Sequence, residues 1–277
     1  MKIVLAVDGS KHARWSMEWM PQVPFARRPQ IVAVHALDLA ALKAPFMIQP
    51  VVIGNEPYIY AEVTRLEQKA TRVSMETKKF LAATQLAGKV LVERGTPATA
   101  ILKHARRGDV IMLGSRGVTG LDRFMLGSVS LSVALHAPAS VLVIKQPPRV
   151  IRRILLATDG SKSATKAVRF VMEELRPENI EIVLVHVLPF LRYPEVKEAG
   201  QALLDRDAGR LVKAGYAVNE VLKLGHPAEE IIKVANRQKV DLIVAGAKGF
   251  GAIARFVLGS VSSKLVQYST VSVLVVR

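Results

Sequence analysis

Cysteine is absent from this chain of 277 residues. Its absence excludes a disulfide framework, a thiolate zinc site and a cysteine nucleophile. Aromatic residues make up only 5% of the chain, although 50% of its residues are hydrophobic. An apolar mass that consists mostly of valine, leucine, isoleucine and alanine is typical of parallel sheets covered by helices.

Long apolar runs and long basic runs are also missing. No stretch reaches the roughly 18 apolar residues of a membrane span, and Asp8 interrupts the apolar start "MKIVLAVDGS", which no cleavage site follows. We therefore expect a soluble, cytoplasmic protein with no membrane span. The net charge of +16 is spread over both halves. It fits either a solvated surface or attraction to nucleic acid, anionic lipid or small anions.

The chain repeats itself in order. "KIVLAVDGSKHA" from Lys2 matches "RILLATDGSKSA" from Arg153 at eight of twelve positions, and "GSRGVTGLDRFMLGS" from Gly114 matches "GAKGFGAIARFVLGS" from Gly246 at seven of fifteen. Three shorter pairs, "IVAVHAL" and "IVLVHVL", "RGTPATAIL" and "LGHPAEEII", "SVLVIK" and "SVLVVR", keep the same order. Five collinear matches indicate a duplicated unit of ordinary domain size.

Each repeat alternates short β-branched runs with helical patterns. This alternation predicts an α/β fold in which each domain is an open, parallel, five-stranded sheet with helices on both faces. Pro147 and Pro148 cannot continue a strand ladder. We therefore predict two tandem domains, residues 1–148 and 149–277. The apolar strands that end the two repeats lie at sheet edges and are expected to pair with each other as a pseudo-dimer inside one chain.

Two helices can be predicted in some detail in the first repeat. Apolar spacing predicts one over 63–86 and another over 97–107, with Thr96 as its N-cap. An insertion in the first repeat, 43–60, contains three prolines and has three interpretations: a lid, a partner surface or a partly disordered loop.

The glycines of the repeated fifteen-residue segment keep their spacing. Gly114, Gly117 and Gly127 recur as Gly246, Gly249 and Gly259. Glycines after a strand let the backbone approach an anion, and the helix expected after each Gly-Ser pair adds its N-terminal N–H groups. The predicted geometry is therefore a polyphosphate site, with hydroxyl donors from Ser128, Ser130, Ser260 and Ser262. The alternative is a plain turn followed by an N-cap.

Two polar residues recur at the strand ends. Asp8 and Asp159 follow the first strand of each repeat, either as ligand or metal contacts or as helix caps. His35 and His186 lie late in the second strand of each repeat, where a structural histidine is the favoured interpretation. The sequence shows no Walker, dinucleotide or nucleophile-elbow motif. No general base is evident. Arg123 and Arg255 have two interpretations: contact with phosphate, or packing at the surface.

The glycine spacing, after a first strand that ends in aspartate, resembles the ATP-binding type of the universal stress protein family. The resemblance covers nearly the whole chain as two domains in tandem. It implies an adenine nucleotide in each domain, ATP or a related one, with Mg²⁺ on its phosphates. Adenine is expected beside the aspartates, Ala36 and Val187. The implied contacts are Ala6, Asp8, Ala36, Leu113, Gly114, Arg116, Gly117, Gly127, Ser128, Val129 and Ser130, and then Ala157, Asp159, Val187, Ala245, Gly246, Lys248, Gly249, Gly259, Ser260, Val261 and Ser262.

The two glycine loops differ at one position that matters for hydrogen bonding. Where the first reads "GSRG", the second reads "GAKG", so Ala247 removes a hydroxyl while the main-chain donors and a cation remain. Three functions are compatible with the sequence. The first is an ATP-binding stress-response regulator, with a homodimer as an added option. The others are a slow ATPase or phosphotransferase, whose base is not identified, and a basic protein that binds nucleic acid or a membrane surface, which the glycine motifs disfavour.

Overall fold

The computed structural model describes residues 1–39, 56–117, 126–189, 194–249 and 258–277. In the first half of the chain, β-branched runs form the strands and the amphipathic segments between them form the helices. The elements of this half are β1 (Lys2–Ala6), α1 (Lys11–Trp19), β2 (Gln30–Leu37), α2 (Glu56–Ala83), β3 (Gly88–Arg94), α3 (Pro97–Lys103), β4 (Val110–Gly114), α4 (Ser128–His136) and β5 (Ser140–Ile144).

The second half follows the same order of elements. Its strands and helices are β6 (Arg153–Ala157), α5 (Lys162–Glu174), β7 (Glu181–Leu188), α6 (Pro194–Lys213), β8 (Ala217–Leu224), α7 (Pro227–Arg237), β9 (Leu242–Gly246), α8 (Ser260–Tyr268) and β10 (Ser272–Val276). The segment between β5 and β6 contains the proposed domain boundary at residue 148, which stays a prediction.

The described strands form one sheet of ten, in the order β3-β2-β1-β4-β5-β10-β9-β6-β7-β8. Neighbouring strands are parallel within each half. At the junction β5 and β10 run antiparallel, with Leu142 opposite Leu274. The predicted parallel α/β fold is confirmed. Because the junction is antiparallel, the carboxyl ends of the strands lie at opposite edges of the sheet in the two halves.

Alternate residues of the central strands face two different apolar layers. Ile3 and Leu5 belong to one buried cluster, whereas Val4 between them belongs to the other. Each cluster contains residues of both halves, so each helical layer is packed over the whole sheet. Burial on both faces explains why the strands read as continuous apolar runs. Among the described helices, none is long and apolar enough to cross a membrane.

Two helices differ in length from their predicted bounds. The helix predicted over 63–86 already begins at Glu56 and ends at Ala83, two residues before Gln85 adopts a positive φ of 53°. The helix predicted over 97–107 ends at Lys103. It stops there because the Asp109 carboxylate accepts a hydrogen bond from the Arg106 N–H at 2.8 Å and closes a turn. Most of the insertion at 43–60 lies outside the described residues.

The first residue after each C-terminal strand caps a helix of the other half. Lys145 follows β5, and its Nζ donates to the Ser269 carbonyl at 2.6 Å, at the end of α8. Arg277 follows β10 and donates from Nη2 to the carbonyls of Ala134 at 2.6 Å and Leu135 at 3.1 Å, near the end of α4. Carbonyls at a helix C-terminus carry partial negative charge. The two cations therefore join the halves reciprocally.

We expect Arg277→Met to lower the free energy of unfolding by about 1–2 kcal/mol, because it removes charged hydrogen bonds to the end of α4. Urea denaturation followed by circular dichroism measures the change. The matched control is Arg237→Met, which removes an exposed cation from the last turn of α7. It should cost less than about 0.5 kcal/mol. Equal effects of the two substitutions would contradict the capping role of Arg277.

Candidate functional site

The carboxyl ends of the parallel strands in the second half open into a cavity of about 720 Å³, here called the second crevice. Ligands of open α/β sheets bind at this edge, and small-molecule sites measure roughly 300–1,000 Å³. All eleven second-half residues predicted from the sequence line it: Ala157, Asp159, Val187, Ala245, Gly246, Lys248, Gly249, Gly259, Ser260, Val261 and Ser262.

Close contacts inside the protein favour glycine at the end of β9 and in the loop that follows it. A Cβ on Gly246 would lie 2.6 Å from the carbonyl carbon of Ser163, at the start of α5. A Cβ on Gly249 would lie 2.8 Å from Oδ2 of Asp159. Neither glycine is among the residues with positive φ in the described chain. The spacing therefore brings α5 and Asp159 against the loop, and a left-handed backbone is not its cause.

Asp159 has a different task for each of its carboxylate oxygens. Oδ1 accepts a hydrogen bond from the Ser161 N–H at 2.9 Å, and Ser161 in turn caps α5 by accepting from the Ala164 N–H at 3.1 Å. Oδ2 faces the glycine loop. The helix cap is thus Ser161, not Asp159. One oxygen holds the turn, and the other lies at the rim of the second crevice.

The N-terminus of α8 points into the second crevice. Its N-cap, Gly259, provides no side-chain cap within the described structure, in contrast to Ser161 of α5. The Gly259 N–H is already bonded to the Ala247 carbonyl at 2.8 Å. The first helical residues, Ser260 to Ser262, line the cavity, and N–H groups in this first turn have no partner within the helix. They are the groups available to an anion, together with the positive end of the helix dipole.

The buried serines of this region do not have the role predicted for them, which was to donate a hydrogen bond to an anion. The Ser262 hydroxyl donates to the Ala247 carbonyl at 2.8 Å, and the Ser130 hydroxyl donates to the Gly114 carbonyl at 2.7 Å. Both therefore tie a helix to a strand end and do not present a donor to a ligand. Ser128 and Ser260 are exposed and can still donate.

The recurrence of the two strand histidines has a structural explanation within this chain. His186 lies buried with its Nδ1 2.8 Å from the Thr158 carbonyl, and His35 makes the same contact with the Val7 carbonyl. Burial lowers the pKa of His35, although the hydrogen bond to Val7 opposes the shift. The rings connect neighbouring strands beside the crevices.

The first half has a smaller cavity at its own strand ends, about 110 Å³, here called the first crevice. Gly127 and Ser128 lie outside its lining, and Arg123 and Arg255 lie outside the described residues. The other nine of the eleven predicted first-half residues line it: Ala6, Asp8, Ala36, Leu113, Gly114, Arg116, Gly117, Val129 and Ser130.

Comparisons with known proteins agree over the whole chain. The model of the universal stress protein family matches residues 1–145 and 151–277. The chain belongs to the universal stress protein family. A universal stress protein of Mycobacterium tuberculosis is 27% identical over 290 residues, which cover 99% of this chain and 96% of that protein. Another from Synechocystis is 24% identical over 292 residues, which cover 99% of each.

Solved structures show the same fold. The crystal structure of a universal stress protein from Archaeoglobus fulgidus superposes with a TM-score of 0.71 at 20% identity and covers 100% of this chain and 98% of that one. A likeness at this level of identity establishes the architecture of this universal stress protein as two repeats in tandem. It does not extend to the contacts of the crevices, which rest on the distances within this chain.

Sequence reasoning missed several residues of the second crevice in this universal stress protein. The missed lining residues are Thr158, Ala164, Val185, Pro189, Pro227, Ile231 and Leu258. All of them except Pro189 belong to segments that recur in the first half. Pro227 and Ile231 also follow a strand end, which is a usable signal, whereas recurrence alone does not show which of the others face a cavity.

One polar contact distinguishes the second crevice from the first. Thr158 lines the second crevice, and its hydroxyl donates to Oδ2 of Asp207 at 2.8 Å. The Asp207 side chain is 1% exposed and pairs with Arg206 at 3.1 Å. The residue that corresponds to Thr158 in the first half is Val7, which has no hydroxyl. The second crevice therefore has a polar connection to α6 that Val7 cannot make in the first half.

We expect Gly246→Ala to lower the free energy of unfolding by about 2 kcal/mol or more, because the new methyl group would overlap the backbone of α5. The matched control is Gly209→Ala in α6, where no described atom lies within 4 Å of the place that a Cβ would occupy. That control should stabilise the protein by about 0.5–1 kcal/mol through helix propensity. Urea denaturation of both variants decides the matter, and a neutral Gly246→Ala would contradict the steric overlap.

Proposed function

We propose that this universal stress protein is a regulatory protein that binds an adenine nucleotide, ATP above all, at the strand ends of its halves, with the second crevice as the stronger site. The observation that carries the proposal is the convergence in one cavity of a glycine loop, a carboxylate and an uncapped helix N-terminus among the described residues. The volume of about 720 Å³ supports the order of the two sites, since the first crevice measures about 110 Å³.

The apolar part of the second crevice suits a purine. Val185, Val187 and Ile231 line it together with Pro227 and Ala245. Small-molecule sites combine such apolar walls with a few polar groups that fix orientation. In the proposed complex the base lies against these walls, near the ends of β6 and β7.

The polar part of the same crevice suits phosphates. Lys248 supplies a cation, and the first turn of α8 supplies N–H groups and the positive end of a helix dipole. Ser260 adds an exposed hydroxyl. Phosphates at this end of the crevice would give α8 the cap that the Ser161 side chain gives to α5.

The residues also fit a magnesium ion that the phosphates carry. Among the described residues there is no group of three or more side chains that could hold a metal by themselves. Mg²⁺ is commonly bound by one or two carboxylates together with substrate phosphates and water. Asp159 is the carboxylate at the rim of the second crevice, and bound Mg²⁺ would neutralise phosphate charge there.

Calorimetric titration of Mg-ATP into nucleotide-free protein tests the proposal. We expect one strong site per chain, which Ser260→Glu weakens about tenfold or more through charge repulsion at the start of α8. Ser128→Glu, at the first residue of α4, is the matched control and should change the affinity of that site less than about twofold. Ser260→Gln separates the effect of charge from that of size.

Two outcomes would contradict the proposal in different ways. No heat and no thermal shift at saturating Mg-ATP, ADP or AMP would refute nucleotide binding itself, because a ligand at a hundred times its Kd stabilises a protein by about 2.7 kcal/mol. Loss of the strong site in Ser128→Glu but not in Ser260→Glu would refute the assignment to the second crevice.

The role of Asp159 can be tested separately. Asp159→Asn retains an oxygen for the Ser161 N–H and removes the charge. We expect it to weaken Mg-ATP binding about tenfold and to change AMP binding less than about twofold, because Asp159 would help to hold the Mg²⁺ that accompanies the phosphates of ATP. Titrations of both nucleotides into the variant measure this. Equal losses for ATP and AMP would assign Asp159 to the nucleoside, not to the metal.

A further inference from the structure

A separate cavity of about 210 Å³ lies where the two halves meet. The first half contributes His12 and Trp15 from α1, Arg116 from the loop after β4, and Lys145 from the end of β5. The second half contributes the segment from Gln267 to Thr270, which contains the end of α8 and the first residues after it. We call this cavity the inter-half cleft. It exists only because β5 and β10 pair, so neither half forms it alone.

The inter-half cleft concentrates basic groups. His12, Arg116 and Lys145 line it, and none of the described residues in its lining carries a carboxylate. The Lys145 ammonium donates to the carbonyls of Ser269 at 2.6 Å and Gln267 at 3.4 Å. An ammonium has three N–H donors, so one more remains beyond these two bonds. The carbonyls hold the amine in place at the wall of the cavity.

The charge of Arg116 makes the neighbouring basic groups of the cleft harder to protonate. Burial, and then the charge of Arg116, lowers the pKa of Lys145 to about 8. Burial, Arg116 and Lys11 lower the pKa of His12, with Asp8 opposing them. Like charges in a partly buried cavity disfavour one another. A bound anion would relieve this repulsion and bring the ammonium back to full charge.

Two aromatic residues, Trp15 and Tyr268, line the cleft beside the charged groups. The Lys11 ammonium lies 4.9 Å from the centroid of the Trp15 ring, and the His12 ring meets Trp15 edge-on with 4.9 Å between centroids. Tyr268 is 66% exposed. The volume of about 210 Å³ is below the roughly 300 Å³ at which ordinary small-molecule sites begin, which suits a phosphoryl group with at most a small substituent.

We propose that the inter-half cleft binds a phosphoryl dianion, either free phosphate or the phosphate of a small monoester, with Arg116 and Lys145 as its charged ligands. Guanidinium and ammonium groups are the usual partners of phosphate in proteins. The duplication does not repeat the site: Ser163 and Lys166 stand in the second half where His12 and Trp15 stand in the first. The proposal does not depend on nucleotide binding in the second crevice, which shares no described lining residue with the cleft.

Sulfate is the probe for the first test, because it is a tetrahedral dianion that does not itself titrate near pH 8. Calorimetric titrations of the full chain at pH 8, at constant ionic strength and in two buffers of different ionisation enthalpy, report binding and proton exchange together. We expect sulfate to bind with uptake of up to about half a proton, as the anion raises the pKa of Lys145. Lys145→Met should lose this uptake and bind at least about tenfold more weakly.

Inorganic phosphate and phenyl phosphate then identify the source of the phosphoryl group. If phenyl phosphate binds at least about fivefold more tightly than inorganic phosphate, the ligand is a monoester whose organic part contacts Trp15 and Tyr268. Equal affinities indicate free phosphate. If none of the three probes binds at concentrations up to about 20 mM, the proposal is overturned. Proton uptake that survives in Lys145→Met would overturn it as well.

A matched pair of substitutions at the rim of the inter-half cleft separates anion binding from effects on folding. Thr270 is exposed and lines the cleft but neither crevice. Thr270→Glu should weaken sulfate binding about tenfold by repulsion, whereas Thr270→Gln should change it less than about twofold. Equal binding by the two variants would place the sulfate elsewhere and overturn the proposal. The strong Mg-ATP site in the second crevice should be unchanged in the same variants, so the cleft and that crevice are tested separately.

Discussion

The antiparallel pairing of β5 with β10 is the interaction on which the rest of the molecule depends. It joins two parallel sheets into one and makes each apolar layer continuous across the halves. It places the strand ends of the halves at opposite edges, so the two crevices face away from each other. It also brings Lys145 and Arg277 to the helix ends of the opposite half. Without this pairing two apolar edge strands would be exposed.

The fold can be predicted from the sequence because its determinants are local and repeated. The β-branched runs, the amphipathic segments and the five collinear matches each indicate a parallel α/β unit, and the structure forms that unit twice. The ends of helices are harder to predict from the sequence. The end of α3 depends on the Asp109 side chain, which accepts a hydrogen bond from the Arg106 N–H in a turn. That competition leaves no trace in the apolar spacing, which continues to residue 107.

The residues of the candidate site can also be predicted from the sequence, but the contacts that explain why those residues are there cannot. The spacing of Gly246 and Gly249 identifies them, yet the atoms that exclude a side chain belong to Ser163 and Asp159, far away in sequence. Ser262 illustrates the opposite error. The sequence predicts that its hydroxyl faces an anion, and in the structure it ties α8 to the strand end. The apolar walls and the inter-half cleft depend on which faces meet in space, and a single sequence does not contain that information.

The two halves keep one frame and differ in the groups around it. Asp8 and Asp159 each accept a hydrogen bond from the N–H of the serine two residues later, at 2.8 and 2.9 Å. Around this common turn, Thr158 adds a buried polar contact in the second half, and Arg116 lines both the first crevice and the inter-half cleft. Because Arg116 lines both cavities, an anion bound in the cleft would lower the positive potential available to the first crevice. The second crevice shares no described lining residue with the cleft, and its electrostatics are therefore set by its own half.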